Sequence, residues 1–468
     1  MTGDVVHSDV PRRLDALGWS AWHRRVILAL GITWILDGLE ASLVANLAPT
    51  LRDPRTLGLT ATQIGLASSI YLVGQVAGAL VFGYLTDRRG RKRLFLVTLA
   101  LYLVSTALGG LSPNFAVFVV LRFFAGAGIG GEYAAINSAI DELVPARIRG
   151  RIDLGINGSY WLGVAFGAGV TLVVLDPGLV PIELGWRLVF GLGATFGLAI
   201  LVIRRHVPES PRWLLMRGRA DEASATMEVI ERHALPADAV RVAHEPVAVR
   251  VVHALSIREI VHTLFVRYRR RAVLCFVLMF SQAFLYNAIF FSYGLILERF
   301  HHVPANRVGL YIVPLALGNF LGPLLLGRHF DEWGRRRMIP LTYAGAGLLL
   351  LASGLLFASG QLTALTQTLA WSVVFFVGSA AASSAYLTVS ELFPVHLRGI
   401  AIAVFYAFGT LVGAGAPLLF GALIDAGKPH VLVSGYAVVT VLMLVAAVVA
   451  RVLGVDAERR PLEELAVH

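Results

Sequence analysis

Two carboxylates stand three residues apart in Trp34-Ile-Leu-Asp37-Gly-Leu-Glu40, inside an otherwise apolar run at 26–48. On a helix that spacing puts both on one face. Arg122 and Glu132 interrupt a second apolar run, at 114–141. Burial penalises the charged form of a carboxylate, and a neighbouring guanidinium favours it. A carboxylate held between these effects can load a proton on one side of a barrier and release it on the other. An ionised side chain at mid-bilayer costs about 2.5–3.5 kcal/mol on insertion scales and normally faces a cavity or a partner. Arg122 is the natural partner of Asp37 or Glu40, either for proton coupling or as a static ion pair joining two helices. Glu132 would be a second proton carrier, a counter-charge for a cationic substrate group, or a hydrogen-bonded packing residue.

A second set could bind rather than titrate. Gln282, Tyr286, Asn287 and Phe291 recur at helical spacing within 272–297. Asn319, Tyr386 and the pair Asn157 and Trp161, one turn apart, lie in other apolar runs. Amides orient hydroxyls or carboxylates, and aromatic faces cover apolar rings. Singly, each serves equally well as a hydrogen bond between helices. As a set they would wall a cavity at mid-membrane.

The elements that must position these groups are set by composition. The 468 residues are 57% hydrophobic and 15% charged, against about 25% charged in soluble domains. Twelve runs are long and apolar enough to cross a bilayer: 26–48, 63–85, 94–112, 114–141, 152–175 and 186–204, then 272–297, 306–327, 339–359, 363–390, 400–424 and 432–452. The expected organisation is a segment 1–25, a six-helix bundle 26–204, a polar connection 205–271, a second bundle 272–452 and a tail 453–468. Within the connection, Ala220–His233 has the pattern of a short amphipathic helix. With twelve spans, 33 of the 40 lysines and arginines fall on the side of the N-terminus. The positive-inside rule then places both termini in the cytoplasm.

The halves repeat. Gly83-Tyr-Leu-Thr-Asp87-Arg-Arg-Gly90-Arg-Lys-Arg93 returns as Gly327-Arg-His-Phe-Asp331-Glu-Trp-Gly334-Arg-Arg-Arg337. Glu142-Leu-Val-Pro-Ala-Arg-Ile-Arg-Gly150 returns as Glu391-Leu-Phe-Pro-Val-His-Leu-Arg-Gly399. Two motifs repeated in the same order indicate two homologous bundles.

Other chemistries find no support. The net charge of +10 sits in short loops rather than on one stripe, which argues against nucleic acid. The single cysteine, Cys275, permits no internal disulfide and reads as a packing residue. Gly126-Ala-Gly-Ile-Gly-Gly131 fits a dinucleotide-binding pattern, but it lies in an apolar helix with no strand before it, where glycines serve packing. Gly74/Gly78, Gly163/Gly167 and Gly409/Gly413 have the same small-residue spacing. Pro314, Pro323 and Pro417, inside spans, should bend or break them. No Walker A pattern and no nucleophile–base set appears, so no ATP-driven or enzymatic chemistry is expected.

The paired Gly-xxx-Asp-xx-Gly-Arg loops resemble the signature of the major facilitator superfamily of secondary transporters. Pro208-Glu-Ser-Pro-Arg-Trp-Leu214 and the two Glu-xx-Pro-xxx-Arg-Gly loops resemble its sugar porters. So do Arg122 with Glu142 and Gln282 with Asn287. Gly126 to Glu132 is similar instead to metabolite:proton symporters and organic-ion transporters. The resemblance implies an all-α membrane fold of twelve helices in two six-helix repeats, a midplane site and alternating access. It makes Asp37 or Glu40 with Arg122 the proton-coupling site. It makes Gly83, Asp87, Arg88, Gly90, Arg91, Glu142, Arg149, Glu209, Arg212, Asp331, Gly334, Arg335, Glu391 and Arg398 parts of a cytoplasmic gate. The repeated acids support gating over topology alone, because acids contribute little to orientation.

The expected function is proton symport of a sugar or organic acid by a monomer in the cytoplasmic (inner) membrane, with the proton gradient as energy source and no cofactor. The alternative is a proton-coupled exporter of drugs or metabolites. A transporter-like nutrient sensor is more distant, since it would be expected to carry a signalling tail longer than 453–468. Gly90→Val should abolish turnover and leave substrate binding largely intact. Uptake and binding assays on the same membranes check this, and normal uptake would remove the loop from the gate.

Overall fold

The computed structural model describes residues 5–17, 20–89, 91–143, 149–204, 209–235, 245–250, 259, 261–393 and 395–454. A short helix α1 (Val10–Ala16) precedes six long ones: α2 (Ala21–Arg52), α3 (Ala61–Arg89), α4 (Arg91–Gly109), α5 (Phe115–Leu143), α6 (Arg149–Val174) and α7 (Ile182–Arg204). Two peripheral helices follow, α8 (Pro211–Met216) and α9 (Ala220–Ala234). The second half holds α10 (Arg269–Phe290), α11 (Tyr293–His301), α12 (Ile312–Glu332), α13 (Arg335–Ala358), α14 (Ala364–Leu392), α15 (Val395–Gly413), α16 (Gly415–Asp425) and α17 (Pro429–Leu453). Counting α10 with α11 and α15 with α16 as single broken spans, the described residues contain twelve helical spans. Eight described segments are long and apolar enough by themselves to cross a membrane. Exposed leucines and valines, among them Leu80, Val104, Leu324 and Val441, keep the outer surface apolar. Such a surface suits lipid, where each segment must satisfy its own backbone hydrogen bonds.

The two halves pack alike. In the first, α2 lies against α6, α3 against α5, α4 against α5, and α7 against both α2 and α4. In the second, α10 lies against α15, α12 against α14, α13 against α14, and α17 against both α10 and α13. Span for span these are the same neighbours, so the repeat read from the loop motifs is also a repeat of packing. The halves meet along three seams: α2 with α11, α3 with α15 and α16, and α6 with α12 and the helical turn at Ala305–Tyr311 before it.

Span seven breaks between Phe290 and Tyr293, where there is no proline. The Ser292 hydroxyl donates to the Ala288 carbonyl, and such back-bonding competes with the helix ladder and bends it. Span eleven breaks at Ala414, with Pro417 in the first turn of α16. Pro314 is in the first turn of α12, where its missing N–H costs nothing. Pro323 stays within the continuous α12.

Away from the bundles, β1 (Val5–Ser8) pairs antiparallel with β2 (Val247–Arg250), a pairing that the sequence did not suggest. Beside it, α1 packs on α9, and Val10, Leu14, Ala223, Met227 and Ile230 are all buried. Arg13 grips Glu231 through two hydrogen bonds of 2.8 and 2.7 Å. The apolar face of α9 is therefore covered by protein rather than spread on a membrane surface.

Glycines bring the spans close. A Cβ at Gly74 or Gly78 would land on the carbonyls of Phe123 or Ala127, and one at Gly126 or Gly130 on those of Tyr71 or Gln75. The α3–α5 contact is thus backbone on backbone from both sides, which is what the run at 126–131 provides. Gly130→Ala should cost about 1–3 kcal/mol through overpacking. Gly169→Ala, whose Cβ would meet nothing within 4 Å, should be neutral. Thermal unfolding of the two variants in detergent checks the contrast.

Candidate substrate and coupling site

Helices α2 and α5 bring Glu40 and Arg122 together. Nη1 of Arg122 lies 2.7 Å from Oε1 of Glu40, and the side chains are 2% and 0% exposed. The Thr106 hydroxyl of α4 donates to the same carboxylate oxygen at 3.0 Å. The Tyr71 ring of α3 lies 4.1 Å beneath the guanidinium carbon. Arg122 Nε and Nη2 and Glu40 Oε2 make no hydrogen bond among the described residues. The pair is sealed inside the first half and incompletely bonded. Of the two carboxylates on α2, Glu40 is the partner of Arg122.

Asp37 is also buried, one turn earlier. It lies near Tyr160 of α6 and Tyr406 of α15. Gly38, between the acids, lets α2 reach the Tyr160 carbonyl.

An aromatic wall crosses the boundary. Trp34 meets Tyr160 edge-on at 6.3 Å, and Tyr160 meets Trp161 edge-on at 5.3 Å. From α6, Trp161 then reaches Tyr286, Phe290 and Phe375 of the other half, at 6.5, 6.0 and 6.4 Å. Tyr386 and Tyr406 lie 6.4 Å apart. Trp161, Tyr286, Asn287, Tyr386 and Tyr406 are all partly exposed. Gln282 and Phe291 are buried. Asn319 is buried and engaged, accepting from the Tyr286 hydroxyl at 2.5 Å and donating to the Leu315 carbonyl at 3.0 Å. Its amide therefore fixes Tyr286. The side chains of Asn157 and Glu132 lie outside the described residues.

Trp34, Tyr160, Phe290, Phe375 and Tyr406 were not singled out from sequence. Tyr160 beside Trp161 offered a signal. Phe375, within Val373-Val-Phe-Phe-Val377, looks like any lipid-facing residue.

The halves are joined at the end of the bundle away from the basic loops. Arg52, ending α2, pairs with Glu298 of α11. The Tyr293 hydroxyl bonds Asn46. The Asp425 carboxylate accepts from the N–H groups of Ala61 and Thr62 at 3.0 and 2.7 Å and from the Thr62 hydroxyl at 2.5 Å. It caps the N-terminus of α3, where a negative charge is favoured. None of these residues was singled out from sequence, although Arg52 and Glu298 end the first span of each repeat.

A model of the family described as sugar (and other) transporter matches residues 38–467. The chain belongs to that family, within the major facilitator superfamily. The niacin transporter NiaP of Acinetobacter baylyi is 26% identical, over 98% of this chain and 99% of its own length. The major myo-inositol transporter IolT of Bacillus subtilis is 27% identical, over 81% of each chain. The crystal structure of a D-xylose-proton symporter superposes with a TM-score of 0.73, over 94% of this chain and 100% of that one, at 17% identity. These are transporters, not enzymes, and this chain is a multi-pass metabolite transporter with the twelve-helix fold of the superfamily.

Most of the superfamily loop residues lie beyond description. The side chains of Asp87, Arg88, Arg91, Glu142, Arg149, Asp331, Glu391 and Arg398 are outside the described residues, as is Gly90 altogether. Gly83 has open space around it. Glu209 and Arg212 flank Ser210, whose hydroxyl caps α8 by accepting from the Trp213 N–H at 3.2 Å. Gly334 caps α13 with φ 85° and ψ 146°, a region open almost only to glycine. Arg335, the first residue of α13, is partly exposed.

Removing one member of the sealed pair strands the other charge. Arg122→Leu should destabilise the protein by about 3–5 kcal/mol, and the double variant Arg122→Leu/Glu40→Leu by clearly less. Thermal unfolding of both variants and each single one in detergent checks the order.

Proposed function

We propose that this transporter is a proton symporter that carries a small organic metabolite, a sugar or an organic acid, into the cell. The observation that carries this is the sealed Glu40–Arg122 pair with Asp37 one turn away at the boundary between the halves. The excess of lysine and arginine on the loops beside Gly83 and Gly327 favours a cytoplasmic position for that end and for both termini, in the inner membrane. The end joined through Arg52, Glu298 and Asp425 then faces outside, and the structure is the state closed to the outside.

In the open-outward state, a proton from the external medium reaches Asp37 first, because Asp37 sits at the boundary. Neutralising either acid changes what Arg122 can pair with. When Glu40 takes the proton, the guanidinium loses its counter-charge and swings toward Asp37. When Glu40 gives the proton up inside, the pair at 2.7 Å re-forms. The buried charge is thus compensated in both states by different carboxylates, and an uncompensated charge is the costly step that forbids slippage. A potential of 100 mV contributes about 2.3 kcal/mol per charge moved, or a concentration ratio of about 50. No cofactor enters this cycle.

Asp37→Asn and Glu40→Gln should each lose accumulation driven by a proton gradient and keep substrate counterflow. Uptake into energised vesicles, together with external pH in energy-starved cells given pooled sugars, carboxylates and amines, tests the pair. Gradient-driven accumulation by both variants would remove the coupling role from α2.

A further inference from the structure

Where the central connection enters the second half, apolar and cationic side chains stand side by side on the surface. A π-helical turn, His262–Arg267, leads through Tyr268 into α10. Its Leu264 is buried, while Val261, Phe265 and Val266 are exposed. Phe265 meets Phe405 and Phe408 of α15 at 6.0 and 6.1 Å. Phe408 belongs to the apolar outer surface and also meets Phe276, inside α10, at 6.1 Å. The turn is therefore seated on the lipid-facing flank of the bundle, beside residues of the span itself.

The cations follow directly. Arg267, Arg269 and Arg270 are exposed and pair with no carboxylate among the described residues. Arg271 is engaged: its Nη1 donates to the Leu392 carbonyl at 2.6 Å, and its guanidinium lies 5.1 Å from the Tyr268 ring. Val273, just beyond, is apolar and exposed again. The three arginines are thus bracketed by Val266 and Val273 on a lipid-facing flank. An arginine so placed lays its stem over apolar surface and carries its head to the polar edge of the bilayer. There a guanidinium can grip phosphate oxygens through two parallel hydrogen bonds. Topology alone asks only for positive charge near the end of a span. The entrance to the first half meets that demand differently: Arg24 and Arg25 are exposed, but Trp22 and His23 before them are buried. The second entrance adds an apolar seat to the charge, and an amphiphile with a negative head matches both.

We infer that this entrance holds an anionic phospholipid, its phosphate among Arg267, Arg269 and Arg270 and an acyl chain along Val266, Phe265 and Phe408. Clusters of arginine beside a span attract anionic headgroups in this way. The lipid ties the end of the central connection to the bilayer. It also steadies the start of α10, the helix that carries Gln282, Tyr286 and Asn287.

The test titrates the full-length protein in detergent with dioleoylphosphatidylglycerol or dioleoylphosphatidylcholine and counts bound lipid by native mass spectrometry. The anionic lipid should bind about tenfold or more tightly. The triple variant Arg267→Gln/Arg269→Gln/Arg270→Gln should lose that preference and melt like the parent protein. Arg270→Gln alone should reduce it by about threefold, which keeps the test in hand if the triple variant folds poorly. Val266→Ser should weaken both lipids alike, since it removes apolar contact and no charge. Arg24→Gln/Arg25→Gln should leave the preference unchanged. Equal binding of the two lipids, a preference that survives the arginine substitutions, or one lost equally in Arg24→Gln/Arg25→Gln would each overturn the inference. So would displacement of the lipid by an excess of glycerol phosphate, which would make this a site for a soluble phosphate. No readout involves a proton gradient, so this inference and the symport proposal stand or fall separately.

Discussion

Hydrocarbon offers no water to satisfy a stray N–H or C=O, and that constraint shapes everything else in this chain. It forces helices from end to end of each span. It also removes the ordinary hydrophobic drive between helices, because lipid is as apolar as leucine. The spans must then be held by close approach and by polar contacts. The α3–α5 seam shows the first, with glycines on each helix against carbonyls of the other. The Glu40–Arg122–Thr106 cluster shows the second, tying α2, α4 and α5 together at one point. The same cluster that braces the first half holds its titratable charge.

That economy separates two kinds of contact. Within each half the packing is backbone-close and repeats from one bundle to the other. Between halves there are end caps and rings (Arg52 with Glu298, Asp425 on the start of α3, Trp161 on Tyr286 and Phe375) beside a close approach of α3 and α16, where a Cβ at Gly65 or Gly421 would land on the Pro417 or Ala61 carbonyl. Contacts of the second kind can part without breaking a helix. An exposed ion pair contributes only about 0–1 kcal/mol, so the closed end is held by several modest interactions rather than one strong one. Such a closure can be reversed by the free energy of binding a substrate.

Span seven joins both themes. Its last third is a separate helix, α11, because Ser292 turns its hydroxyl onto the chain. Asn287 and Phe291 lie at or next to that break, and Tyr293 just beyond it reaches across to Asn46. The polar and aromatic residues that the sequence marked on this span therefore line the place where the helix changes direction.

The spans, their number, the two repeats and the membrane class were legible in the sequence, because apolar run length and recurring loop motifs are local properties. So was the pairing of an acid on the first span with Arg122, since few charges occur inside apolar runs. The choice between Asp37 and Glu40 was not. Three residues on a helix turn the side chain by about 60°, and only the neighbouring helices decide which acid meets the arginine. Phe375 and Tyr406 reached the boundary for the same reason, as nothing local separates them from the apolar residues beside them. Asn319 read equally as a ligand contact and as a bond between helices, and the structure shows the bond, to Tyr286. Sequence fixed which segments enter the membrane. Tertiary packing decided which faces look at one another.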